Sequence, residues 1–264
     1  MTNTTLVNHR KAGALAAFAL SVGLAITSAH AASSTDAQAK PAGQASTATL
    51  STRQQAIPLI AAAMATSDMP KLNAALNQGL DAGLTISEAK EILVHLYAYT
   101  GFPRSLNALS ELMKVVDARK AQGIEDEPGR EPSRPVASGD QLREVGTANQ
   151  TRIAGKPVEG PLFDFAPVIN QYLQEHLFGA IFERDNLDWQ SRELATVGAL
   201  AATPGVEAQL RSHMAASMRV GLTESQLRQL IELLADQSGR EAGARGNDAL
   251  AQALATMQAQ PGKE

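Results

Sequence analysis

The chain has 264 residues, a formal charge of −4 and no cysteine. The missing thiol excludes disulfides and thiolate chemistry, and the mildly acidic balance offers none of the basic excess that a nucleic-acid surface needs, so no nucleic-acid partner is expected. Apolar residues make up 44% and aromatic residues only 4%; Ala, Leu, Gln, Glu and Met abound while Val, Ile, Tyr and Trp are sparse, which favours helix over strand and predicts an all-α fold.

In chain order, residues 1–31 read as a signal peptide. His9-Arg10-Lys11 is a short basic start, Ala12 to Ile26 is an apolar stretch too short for a comfortable membrane span, and Ala29-His30-Ala31 is an A-x-A cleavage site. The mature chain is expected to begin at Ala32, in the periplasm of a Gram-negative bacterium, with no membrane contact after cleavage. Residues 32–50 are rich in Ser, Thr, Ala and Gln with no apolar period, a flexible linker. Residues 51–122 read as a first helical region. Residues 123–160 turn polar and rich in Pro and Gly, from Glu127-Pro128-Gly129 to Gly155 and Pro157. This is a long connector, either disordered or wrapped over the surface or a neighbour. Residues 161–258 form a second helical region that opens with an extra helix, Phe165 to about Arg184. Residues 259–264 are a tail expected to fray.

The two helical regions repeat one another. Ala61-Ala62-Ala63-Met64-Ala65-Thr66 parallels Gly198-Ala199-Leu200-Ala201-Ala202-Thr203. The next helix of each region ends at Gly83-Leu84-Thr85 and Gly221-Leu222-Thr223. Each glycine suits a helix stop needing positive φ, and each threonine opens a capping box with Glu88 or Gln226. Glycine breaks follow at Gly101 and Gly239, then Asn107-Ala108-Leu109 and Asn247-Asp248-Ala249-Leu250.

Beyond the signal segment there are three histidines, His95, His176 and His213. No His-x-x-x-His or clustered carboxylate pattern accompanies them, so no metal is expected. Dinucleotide, Walker and Ser/His/Asp patterns are absent, so no cofactor is expected either. His213 shares a helix stripe with Val206, Leu210 and Ser217; it is either a hydrogen-bonded core histidine or a proton carrier in a half-buried pocket. Glu193 lies in the first turn of a helix capped by Asp188, where a carboxylate complements the helix dipole or reaches His213. The short turn Thr203-Pro204-Gly205 makes the two helices antiparallel neighbours and sets both residues at nearly the same height. Arg192 and Arg211 flank the pair and are either surface arginines or forks for a substrate carboxylate. His176 lines up with Ile169, Tyr172, Leu173, Leu177, Ala180 and Ile181, an apolar face for the core, a partner subunit or a pocket. His95, Tyr99 and Arg104 surround the break at Gly101-Phe102-Pro103, which suits a pocket wall or simple packing.

Several strings resemble the carboxymuconolactone decarboxylase family: Phe165-Ala166-Pro167, Glu175-His176-Leu177-Phe178-Gly179, Trp189-x-x-Arg192-Glu193-Leu194-Ala195-Thr196, Gln209-Leu210-Arg211-Ser212-His213, Gly221-Leu222-Thr223 and, in the first region, Gly101 to Leu109. The resemblance implies two tandem helical repeats, at 51–122 and 161–258, and a homo-oligomer, a trimer or hexamer. The family includes a lactone-acid decarboxylase and relatives of alkylhydroperoxidase D with a Cys-x-x-Cys, a histidine and an upstream glutamate. Aligned on His213, the two cysteine positions are Val206 and Gln209, the glutamate falls near Glu193, and the first repeat's histidine falls at about Ala75. The implied function is a cofactor-independent lyase or isomerase acting on a small carboxylate or carbonyl compound. His213 and Glu193, with His176, would transfer the proton; Arg192, Arg211, His95, Tyr99 and Arg104 would contact substrate; thiol peroxidase activity would be lost. The alternative is a non-catalytic oligomeric small-molecule-binding protein.

Overall fold

The computed structural model describes residues 48–259. The segment read as a signal peptide, most of the linker and the tail beyond Ala259 lie outside the described residues, among which all regular structure is helical. The first region holds α1 (Thr52–Thr66), α2 (Met69–Asp81), α3 (Ile86–His95), α4 (Tyr97–Thr100) and α5 (Phe102–Ala121). The connector contains α6 (Gly139–Ala154). The second region holds α7 (Pro161–Phe165), α8 (Pro167–Tyr172), a π-helix continuing it over Leu173–Ile181, then α9 (Trp189–Ala202), α10 (Glu207–Arg219), α11 (Glu224–Ser238) and α12 (Arg240–Gln258).

Two helices form the centre. Every residue from Ala56 to Ala65 in α1 is buried, as is every residue from Ser191 to Ala202 in α9. A helix covered all round belongs in the middle of a core, and α1 packs more extensively on α9 than any other pair of elements. Their backbones touch at Gly198, where an added Cβ would stand 2.5 Å from the Pro58 carbonyl oxygen. Glycine is what lets the two axes approach.

Around this crossing the halves correspond in order. α2 packs on α1 as α10 packs on α9. The following glycines, Gly83 and Gly221, have φ of +89° and +104°. Thr85 and Thr223 then cap α3 and α11 through reciprocal boxes with Glu88 and Gln226, each worth about 1 kcal/mol. Gly101 and Gly239, at φ +86° and +111°, lead into α5 and α12.

Three parts differ from the sequence reading. The linker is already bound at its end: Leu50 is buried, and its amide donates to Gln229 Oε1 at 2.7 Å. The connector begins as a strap over the start of α3, where Ile86 N and Ser87 N donate to the Glu127 and Pro128 carbonyls. Arg119 holds Asp126 through three hydrogen bonds, and Ser133 holds Asp185. The strap then gives way to α6, a helix hidden in the sequence because Pro135 and Gly155 bracket a proline-free stretch. The expected helix Phe165–Arg184 is broken. Pro167 separates α7 from α8, since a proline cannot continue the preceding helix, and Leu173–Ile181 widens to i→i+5 bonding. α6 lies tightly on that wide turn. A Cβ on Gly146 would reach 1.8 Å from the Gln174 carbonyl oxygen.

Candidate functional site

Helices α9 and α10 present one acid and one base to each other. Asp188 caps α9 by accepting from Ser191 N at 2.8 Å, and the turn at 203–205 folds α10 back alongside. Glu193 Oε2 and His213 Nδ1 are 2.8 Å apart. The Glu193 side chain is fully buried and that of His213 is 14% exposed. A carboxylate here accepts the Nδ1 proton, which fixes the tautomer and leaves Nε2 as the basic nitrogen. Nε2 has no protein hydrogen bond among the described residues, and the second carboxylate oxygen, Oε1, is buried without a partner.

The opposite wall comes from the other half. Tyr99 on α4 sets its ring edge-on to His213, with centroids 5.4 Å apart and planes at 80°. Its hydroxyl is buried and makes no hydrogen bond of normal geometry. Burial, and then the Glu193 carboxylate, push the phenol well above its ordinary value, against the Thr196 hydroxyl and Arg192. The phenol is therefore un-ionised at any physiological pH. His95, at the end of α3, is fully buried beside it, with Nε2 2.9 Å from Thr196 Oγ1. Thr196 gives its single proton to the Arg192 carbonyl, so it accepts from His95 Nε2–H, and His95 Nδ1 carries a bare lone pair with no partner. Burial, followed by the charges of Arg192 and His213, holds His95 well below the usual imidazole value. It is a neutral histidine.

The other sequence candidates fall elsewhere. Arg192 is fully buried, its Nη2 donates to Glu91 Oε1 at 2.9 Å and to the Arg184 carbonyl at 2.6 Å, and its Nε and Nη1 have no partner among the described residues. Burial lowers its affinity for its proton, while Glu91 works against that. Glu91 also binds Arg184 and Asn186, so this buried network ties α3 to α9 beneath the site. Arg211 is exposed and donates to Gln252, because it projects from the outer face of α10. Arg104 is exposed and turns back onto the Thr100 carbonyl. His176 is exposed, as are Ile169 and Tyr172 of the apolar line it shares, so it does not enter the core. Its ring meets Tyr97 edge-on at 5.3 Å, and Tyr97 stacks on the exposed Phe102 at 4.4 Å. His176 thus adjoins the dyad only through the tyrosines of α4.

Sequence reasoning missed Thr196, Glu91 and Phe182. Phe182 touches His95 and Trp189 edge-on at 5.5 and 5.7 Å and roofs the group. Thr196 could have been found, since it follows Glu193 by less than one turn on a wholly buried helix. No grouping of three or more His, Asp or Glu suited to a metal occurs among the described residues.

The corresponding place in the other half is different. Ala75 precedes Gly83 by the same interval as His213 precedes Gly221, and Gln237 stands before Gly239 as Tyr99 stands before Gly101. Counted from Thr66 and Thr203, Ala56 takes the place of Glu193. Ala75 and Gln237 line a cavity of about 130 Å³ with Leu59, Ala62, Ala63 and Gln78. The position survives as space, without acid, base or phenol.

Residues 167–255 match the carboxymuconolactone decarboxylase family model. That span holds Glu193, His213 and His176, and it excludes His95 and Tyr99. Comparison with curated proteins gives no match.

Proposed function

From the family match over residues 167–255 and the Glu193–His213 contact, we propose that this carboxymuconolactone decarboxylase-like protein is a cofactor-independent lyase or isomerase acting on a small carboxylate or carbonyl compound. The observation that carries the reading is the 2.8 Å contact between a buried carboxylate and a half-buried imidazole whose Nε2 is unpaired. Glu193 orients the ring and steadies the imidazolium that forms when Nε2 takes a proton. In an isomerisation, Nε2 moves a proton between carbons next to a carbonyl. In a decarboxylation, it returns a proton to the carbon that has lost carbon dioxide. Neither step uses sulfur, and the chain has no cysteine to support thiol peroxidase chemistry.

The protein acts as a homo-oligomer, a trimer or hexamer, in the periplasm. Support for assembly comes from exposed apolar side chains on two faces: Phe102, Leu106 and Met113 on α5, and Leu162, Phe165 and Tyr172 on α7 and α8. Support for export comes from the basic, apolar and A-x-A pattern of residues 1–31.

The test is solvent-deuterium incorporation and carbon dioxide release over a panel of small lactone acids, β-keto acids and 1,3-diketones, followed by NMR. His213→Ala should lower the rate by ~100-fold or more. An unchanged rate in that variant ends the proton-transfer reading. Binding of panel members without any exchange in the wild type would favour the non-catalytic binding protein instead, a reading to which the empty counterpart at Ala75 lends weight.

A further inference from the structure

Both reactions above place negative charge on a carbonyl oxygen as the adjacent carbon loses its proton or its carbon dioxide. The charge needs a hydrogen-bond donor, and the donors at this site can be assigned one by one. The Thr196 proton goes to the Arg192 carbonyl, the His95 Nε2 proton goes to Thr196, and the His213 Nδ1 proton goes to Glu193. Arg192 gives its Nη2 protons to Glu91 and the Arg184 carbonyl beside the Phe182 ring, and its Nε and Nη1 are buried without a partner but make no hydrogen bond to Glu193 or His213. The Tyr99 hydroxyl is buried and makes no hydrogen bond of normal geometry, with the Thr196 hydroxyl beside it, on the ring that packs directly against His213.

We propose that Tyr99 is a catalytic residue of this site, donating its hydroxyl hydrogen bond to the substrate's carbonyl oxygen, and that the substrates are enolisable carbonyl compounds. The inference rests on the proton-transfer reading. In the step, His213 Nε2 takes the proton from the carbon beside the carbonyl. The C–H pair becomes the enolate double bond and the carbonyl π pair moves onto oxygen, where the phenol donates. Return of the proton to the α-carbon, or to the γ-carbon where the enolate is extended by a further double bond, restores the carbonyl and neutral His213.

Two independent features support it. A buried phenol without a partner costs stability, about 1–3 kcal/mol for such a group, which a ligand oxygen would relieve. The counterpart position lacks all three groups together, with Ala56, Ala75 and Gln237 where Glu193, His213 and Tyr99 would stand. Residues that work as one unit have no separate reason to stay once one is gone. The un-ionised state of the phenol suits a donor and rules out a base.

Tyr99→Phe keeps the ring against His213 and removes only the hydroxyl. Two measurements test it, after thermal unfolding has shown the variant folded. The first titrates wild type, Tyr99→Phe and His213→Ala with 4-nitrophenol, an enolate-oxygen mimic, followed by its visible absorption band. Tyr99→Phe should bind about 10-fold more weakly than wild type. Equal binding, or no binding to wild type, overturns the proposal. The second follows deuterium exchange into 2,4-pentanedione. Tyr99→Phe should lose ~10²–10³-fold in kcat with little change in KM, whereas a packing role predicts an unchanged kcat. Exchange lost in His213→Ala but intact in Tyr99→Phe overturns the Tyr99 proposal alone. Exchange absent from wild type overturns the proton-transfer reading, and the 4-nitrophenol titration then decides Tyr99 by itself.

Discussion

Lowering the pH should destabilise this protein through His95. The ring is fully buried and its Nδ1 faces no acceptor. Tyr99 and Phe182 rings pack on it at 5.3 and 5.5 Å, and Arg192 and His213 supply positive charge nearby. A second proton would place a cation beside an arginine with nothing to receive it, so the folded-state value lies well below that of a free imidazole. In the unfolded chain His95 titrates near ~6.5. Above that pH neither state is protonated and the residue contributes no pH dependence. Below it the unfolded chain takes up a proton that the folded protein refuses, so stability falls with pH until the folded value is reached. One proton corresponds to ~1.4 kcal/mol per pH unit, hence at most ~2 kcal/mol between pH 6.5 and about pH 5, the limit in which the folded protein takes up no proton over that interval. That is a large share of a typical ~5–15 kcal/mol. Urea unfolding of wild type and His95→Gln at about pH 7.5 and pH 5 isolates the effect, because every other titrating group is common to both. The wild type should lose more than the variant, by up to ~2 kcal/mol. Equal losses would mean that His95 is protonated in the folded state and that the assignment of its neutral form is wrong.

Glu91→Ala should cost ~3–5 kcal/mol, because it strands the buried Arg192 without a counter-charge; a urea midpoint within 1 kcal/mol of wild type would show that the pair is dispensable. Gly146→Ala should cost ~1–3 kcal/mol, the usual range for forced overpacking, because its methyl would strike the Gln174 carbonyl. Hydrogen exchange should quicken over residues 139–181 and stay unchanged over α9 to α12, and uniform protection would refute the close contact.

The part of the site that sequence makes legible is the part joined by a short turn. Asp188 announces the start of α9 and Thr203-Pro204-Gly205 forces α10 to return beside it, so Glu193 and His213 can be set at one height from spacing alone. Helix rotation is not written there. The same spacing leaves Arg192 looking like a clamp for substrate, because its partner Glu91 lies 101 residues earlier. His95 and Tyr99 read as a pocket wall, but their neighbour is fixed by the crossing of α1 and α9, a contact between distant segments. The π-helix around His176 is illegible for a local reason. A 3.6-residue period laid over Leu173–Ile181 assumes an α-helix, and nothing in that stretch marks the wider turn.

The site draws its dyad from one half of the chain and its phenol from the other, across two helices that touch at Gly198. Had two separate single-repeat chains met in this way, symmetry would have written each substitution on both sides at once. Covalent fusion removes that constraint. The side at Ala56, Ala75 and Gln237 is free to drift while Glu193, His213 and Tyr99 stay fixed. Each polypeptide then carries the buried carboxylate, the imidazole and the phenol together, whatever assembly it joins, and a lesion in either half disturbs that grouping without help from a neighbour.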